Sequence, residues 1–327
     1  MAIDVDMSRQ ISVLRPICIF FMMTVHVNPG FSGQPHDWPM VLIGTLEVNI
    51  LGRSSVAALS FISGLLLAMT AERSTLGDQM LRRLQTVYLP MVFWASLFAA
   101  LCLLPALLGA PTSASRTLQG QGPALILIEG ILNLFGEPVS PALGYLRDLA
   151  AASVITALIL RVPRLNPGWL LPVILGLALF DLLEPLVLRP SILLFMVAGA
   201  AFYRTGLPLR VPRWAAMAGA ALVLLAHRDI GSRIAQLGEV TYLTFLSHTI
   251  VISMLWMVWK GVFGAQTTGL YIVFFLGAPL VAFSVAKLAY GAIDALPPAL
   301  QTAMRGKVRR RPQADAGGRG AAIRSGG

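Results

Sequence analysis

The chain has 327 residues, of which 56% are hydrophobic and only 12% charged, with a mean hydropathy of +0.75. Soluble domains carry about 25% charged residues, so half that share excludes an ordinary soluble enzyme and points to a membrane protein. The net charge of +10 is not a nucleic-acid signature: seven of the 25 Lys and Arg residues lie after position 304, in a Gly/Ala/Arg-rich tail with no folded reader beside it.

In chain order, apolar runs predict membrane helices over 11–28, 53–71, 88–109, 143–160, 168–187, 189–204, 214–227, 237–259 and 270–292. A shorter run, "PALILIEGILNLF" at 123–135, carries Glu129 and reads as either a short span or an interfacial helix. The expectation is an all-α, polytopic transmembrane bundle of about ten spans, nine if 123–135 stays at the interface. The first run has no small-residue cleavage site after "HVNPG" and reads as a retained helix. Arg9, Arg73, Arg82 and Arg83 place the N-terminus in the cytoplasm, and ten spans return the C-terminus to the same side. Residues 1–293 then form one membrane domain. Residues 294–327 form a basic, disordered cytoplasmic tail that contacts the anionic headgroups of membrane lipids. Cys18 and Cys102 sit in apolar runs as small core residues, and the four histidines lack metal-ligand spacing, so no metal is expected.

Ionisable residues inside apolar runs are costly and mark function. In "VLRPICIFFMMTVHVNPG", residues 13–30, Arg15 and His26 lie 11 residues apart. On a helix that is roughly three turns, so they share a face about 16 Å apart along the axis. Taken singly, each has a bland alternative: a snorkelling anchor for Arg15 and a satisfied interfacial histidine for His26. In "SSVAALSFISGLLLAM", Ser60, Ser63 and Gly64 form a small face that suits close helix packing. Arg82 and Arg83 lead into a span opened by Pro90, either as a topological anchor or as phosphate ligands at a cavity mouth. Arg147 and Asp148 open a further span, and His248 falls near the middle of "LGEVTYLTFLSHTIVISMLW". Asp181 and Glu184 read as a helix end.

These motifs, in this order, resemble the acyltransferase-3 family of integral membrane O-acyltransferases. The Arg15-to-His26 spacing is similar to its first helix, "SFISGLLLA" to its second and "RRLQTVYLPMVFW" to the basic opening of its third. "GYLRDL", "FMVAGAAFYR" and "VTYLTFLSH" resemble its later landmarks, and the likeness runs over roughly residues 8–290. The chain departs from the family pattern at Gly144, where a bulky aromatic is common, and at Ser247, where leucine is common.

The resemblance implies transfer of an acetyl or succinyl group from cytoplasmic acyl-CoA (acetyl-CoA or succinyl-CoA) to a hydroxyl of an envelope or extracellular polysaccharide or its precursor. It implies a multi-pass protein of the bacterial inner membrane, with a carbohydrate acceptor and association with polysaccharide assembly machinery. On this reading Arg15 with Arg82 or Arg83 holds the CoA phosphates, and His26 is the general base, with transfer either direct or through an acyl-histidine intermediate. Ser63 and Arg147 are candidate oxyanion donors, Glu47 or Asp148 a candidate partner that orients His26, and His248 a wall of the acceptor side. Two other readings stay open at this point: a transporter or flippase for a lipid-linked saccharide, and a structural scaffold.

Overall fold

A computed structural model describes residues 5–27, 37–109, 120, 122–134, 139–162, 164–180, 182–183, 187–205 and 237–306. Secondary structure over the described residues is helical. α1 (Val5–Val27) carries Pro16 directly after Arg15, which removes one backbone donor from its middle. α2 (Trp38–Leu46) runs through a π-helical turn, Glu47–Gly52, into α3 (Arg53–Ala71). α4 (Leu76–Arg83) starts at a capping box in which the Asp78 N–H donates to Thr75 Oγ1 and the Thr75 N–H to Asp78 Oδ2. A second π-helical turn, Leu84–Tyr88, joins it to α5 (Leu89–Leu107). α6 (Pro123–Leu125) is a single turn continued by a π-helical stretch over Ile126–Ile131. Then come α7 (Gly144–Arg161), α8 (Leu171–Leu179), α9 (Pro190–Thr205), α10 (Gly238–Phe263), α11 (Thr268–Ile293) and α12 (Pro298–Arg305).

Among the described residues, four helical stretches are long and apolar enough to cross a membrane: Trp38–Ala71, Leu76–Pro105, Val240–Phe263 and Thr268–Ile293. Ile11–Val27, Pro167–Leu179 and Pro190–Thr205 are shorter apolar helices. The described residues thus give a multi-pass helical bundle, without confirming the count of about ten spans. The run at 123–135 stops as a helix at Ile131, and at 1.5 Å per residue it rises only about 14 Å, half the hydrocarbon thickness. The run at 168–187 likewise stops early, with α8 ending at Leu179. The span expected at 214–227, and Asp181 and Glu184, lie outside the described residues.

Pro298, at the first turn of α12, and Gly306, left-handed just past its end, bracket a helix inside the segment read as disordered tail. α12 packs on α5, where Trp94 Nε1 donates to the Met304 carbonyl at 2.9 Å. Residues 307–327 lie outside the described residues.

The tightest seam joins α3 and α9. A Cβ on Gly64 would overlap the Met196 backbone carbonyl, and one on Gly199 the Phe61 carbonyl. Small residues let two backbones approach where lipid offers no hydrophobic drive between helices. Ser60 and Ser63 of α3 each donate back to their own helix, to Val56 O and Leu59 O at 2.8 Å. Gly199→Val should cost about 3 kcal/mol through backbone overlap. Gly176→Ala, at a site open to added volume, should leave stability unchanged or slightly raised. Thermal unfolding of both variants in detergent checks the contrast.

Candidate active site

Arg15, Ile19, Met22 and His26 follow one another at steps of four, three and four residues, which makes one stripe along α1. Two cavities open onto that stripe. Arg15 and Ile19 line the first, of about 290 Å³, together with Ser63, Arg83 and Tyr145. Met22 and His26 line the second, of about 630 Å³, with Arg53, Tyr145 and Arg189. Tyr145, on α7, is buried and is a wall of both cavities. The stripe thus carries a cation in one chamber and an imidazole in the next, roughly 16 Å apart along the helix, with one phenol side between them.

His26 has a second histidine behind it. The ring centroids of His26 and His248 stand 5.3 Å apart. His248 is fully buried on α10, and its Nδ1–H donates to the Phe245 carbonyl. With Nδ1 carrying the hydrogen, Nε2 of the neutral ring is the lone-pair nitrogen. That nitrogen has no hydrogen-bond partner among the described residues. The sequence places His248 on the acceptor wall. The structure instead sets it against the His26 ring and outside the walls of the larger cavity.

The other expected site residues divide. Arg83 lines the Arg15 cavity, whereas Arg82 is exposed and is a wall of neither chamber. Ser63 also lines the Arg15 chamber, with its hydroxyl hydrogen committed to Leu59 O, so it does not stand beside His26. Arg147 lines a separate crevice with Arg83 and Asn133, of about 770 Å³. Arg147 and Asp148 pair at 3.4 Å. Arg147 Nη2 donates to Leu134 O, and Asp148 Oδ1 accepts from the Leu188 N–H, both at 3.1 Å. The pair braces two connecting segments from inside, and the second brace leads straight into Arg189, a wall of the His26 chamber. Glu47 is buried in the π-helical turn and is no wall of that chamber.

Tyr145, Arg53 and Arg189 are the residues that sequence reasoning did not single out. Arg53 left a usable signal. On the expected orientation it falls at the outer end of a span, against the inward bias of basic residues. Arg189 left only its position before Pro190, and Tyr145 only its place in "GYLRDL".

Asp148→Ala would strip a buried guanidinium of its counter-charge and the Leu188 N–H of its acceptor. It should lower unfolding stability by about 3 kcal/mol. Arg82→Ala, at an exposed position, should change it by less than about 0.5 kcal/mol. Chemical unfolding in detergent measures both.

With this geometry in hand, comparison with known proteins matches the family model described as an acyltransferase domain to residues 8–227. No curated protein and no solved structure matches the chain.

Proposed function

This chain belongs to the acyltransferase family, and on that premise we propose that it is a membrane O-acyltransferase acting on carbohydrate hydroxyls. The donor is a cytoplasmic acyl-CoA carrying an acetyl or succinyl group. The acceptor is an envelope or extracellular polysaccharide or its precursor, and the protein resides in the bacterial inner membrane. The observation that carries the reading is the α1 stripe, with Arg15 in one chamber and His26 in the adjoining one.

The chemistry follows from those positions. Arg15 and Arg83 neutralise the phosphates of the donor by charge-assisted hydrogen bonds. The pantetheine arm lies along Ile19 and Met22 past Tyr145, which brings the thioester to His26. His26 accepts the proton of a sugar hydroxyl as that oxygen attacks the thioester carbonyl. The tetrahedral intermediate collapses with cleavage of the C–S bond. The departing thiolate takes the proton from the imidazolium, leaving free CoA and an O-acyl sugar. Arg189 and Arg53 line the chamber in which the oxyanion forms and offer it cationic support. His248 backs the His26 ring and fixes its orientation within the bundle.

Surface-glycan mass spectrometry tests the proposal, on a deletion strain complemented with wild type, Arg15→Ala or His26→Ala at verified membrane levels. Both variants should lose one acyl mass increment that wild type restores, and His26→Ala should lower transfer at least about a hundredfold. Full acylation with His26→Ala would remove the catalytic assignment. Loss of the whole glycan from the surface, with its acylation unchanged, would favour transport.

A further inference from the structure

The Arg15 chamber holds more positive charge than the family match accounts for. Arg305 and Gly306, at the end of α12, are walls of that chamber beside Arg15 and Arg83. Three guanidinium side chains therefore line about 290 Å³, and no carboxylate stands among the described wall residues. The match to the family ends at residue 227, so Arg305 comes from chain beyond it.

Arg305 is held firmly in place. It is only 3% exposed, Nη1 pairs with Asp294 Oδ1 at 2.6 Å, and Nη2 donates to Gln301 Oε1 at 2.7 Å. Its guanidinium carbon sits 4.7 Å from the Tyr290 ring centroid, in cation–π range. Gly306 closes α12 in the left-handed region at φ 67°, where a Cβ would overlap the Thr86 carbonyl. The helix end is thereby pressed onto the turn that follows Arg83. A buried guanidinium is expensive to desolvate unless it is well paired. Here the pairing also fixes it at the rim of a chamber already lined by two cations.

We infer that α12 is part of the donor site, and that Arg305 is a third contact for the anionic end of the donor, a polyphosphate of at least two negative charges. Asp294 offsets one of the three positive charges, which leaves a net +2 for the ligand to meet. This rests on the donor reading of the Arg15 chamber, and it extends the donor site to a helix that lies beyond the family match.

Binding of free coenzyme A to the full-length protein in detergent separates the possibilities. Arg305→Gln should weaken binding about ten- to a hundredfold, as loss of a hydrogen bond to a charged group does. Arg305→Lys should recover part of that loss. Asp294→Asn, which removes the tether but keeps the guanidinium, should bind coenzyme A at least as well as wild type. Equal weakening by Arg305→Gln and Asp294→Asn would make Arg305 a structural clasp only and overturn the inference. Normal binding by Arg305→Gln while Arg15→Ala and Arg83→Ala fail would overturn it and leave the donor reading standing. Normal binding by all three arginine variants would remove the donor reading itself. Hydrogen exchange on the unaltered protein gives a test free of folding defects. Coenzyme A should slow exchange across residues 298–306, and unchanged exchange there would overturn the inference.

Discussion

The constraint on which the rest of the structure depends is the polar stripe on α1. An arginine and a histidine on one face of a membrane helix cannot be left against hydrocarbon, where each ionisable group costs several kcal/mol. Neighbouring helices must stand off from that face and enclose polar space around it. They do so with two chambers: α4, α10 and α12 contribute walls to the one at Arg15, and α3 and α9 to the one at His26. Tyr145 of α7 borders both, apolar enough to bury and polar at its tip.

Holding helices apart in one place requires fixing them closely in another. The α3–α9 seam does this with Gly64 and Gly199, whose missing side chains admit the opposing backbone. The Arg147–Asp148 pair anchors the segments around Leu134 and Leu188 from within the bundle. Its second anchor sets the approach to Arg189, so a residue far from the chemistry positions one near it. On this account the chemistry-bearing side chains are few, and the buried Arg147–Asp148 pair holds connecting backbone in place.

Part of this was legible in the sequence and part was not, for definite reasons. The shared face of Arg15 and His26 follows from helical period alone, because both residues lie on one element. The small face of α3 was legible for the same reason. Tyr145, Arg189 and Arg305 reach the chambers through tertiary packing between helices distant in the chain, and one sequence carries no trace of such proximity. α2 was missed because Glu47 and Asn49 interrupt the apolar run at its junction with α3. α12 was hidden by the basic composition of the residues after it, although Pro298 and Gly306 were start and stop signals in plain view. Arg147 and Asp148 were legible as charge inside an apolar run, whereas their bonds to Leu134 O and the Leu188 N–H again come from tertiary packing.

The central claim is that one ligand runs along α1 from the arginines to His26. The most direct test is a cryo-electron microscopy structure of the full chain with coenzyme A bound. The account predicts the phosphates beside Arg15 and Arg83 and the thiol on the far side of Ile19, within reach of His26. Phosphates seated in the His26 chamber, or a thiol in the crevice beside Asn133 and Arg147, would contradict it.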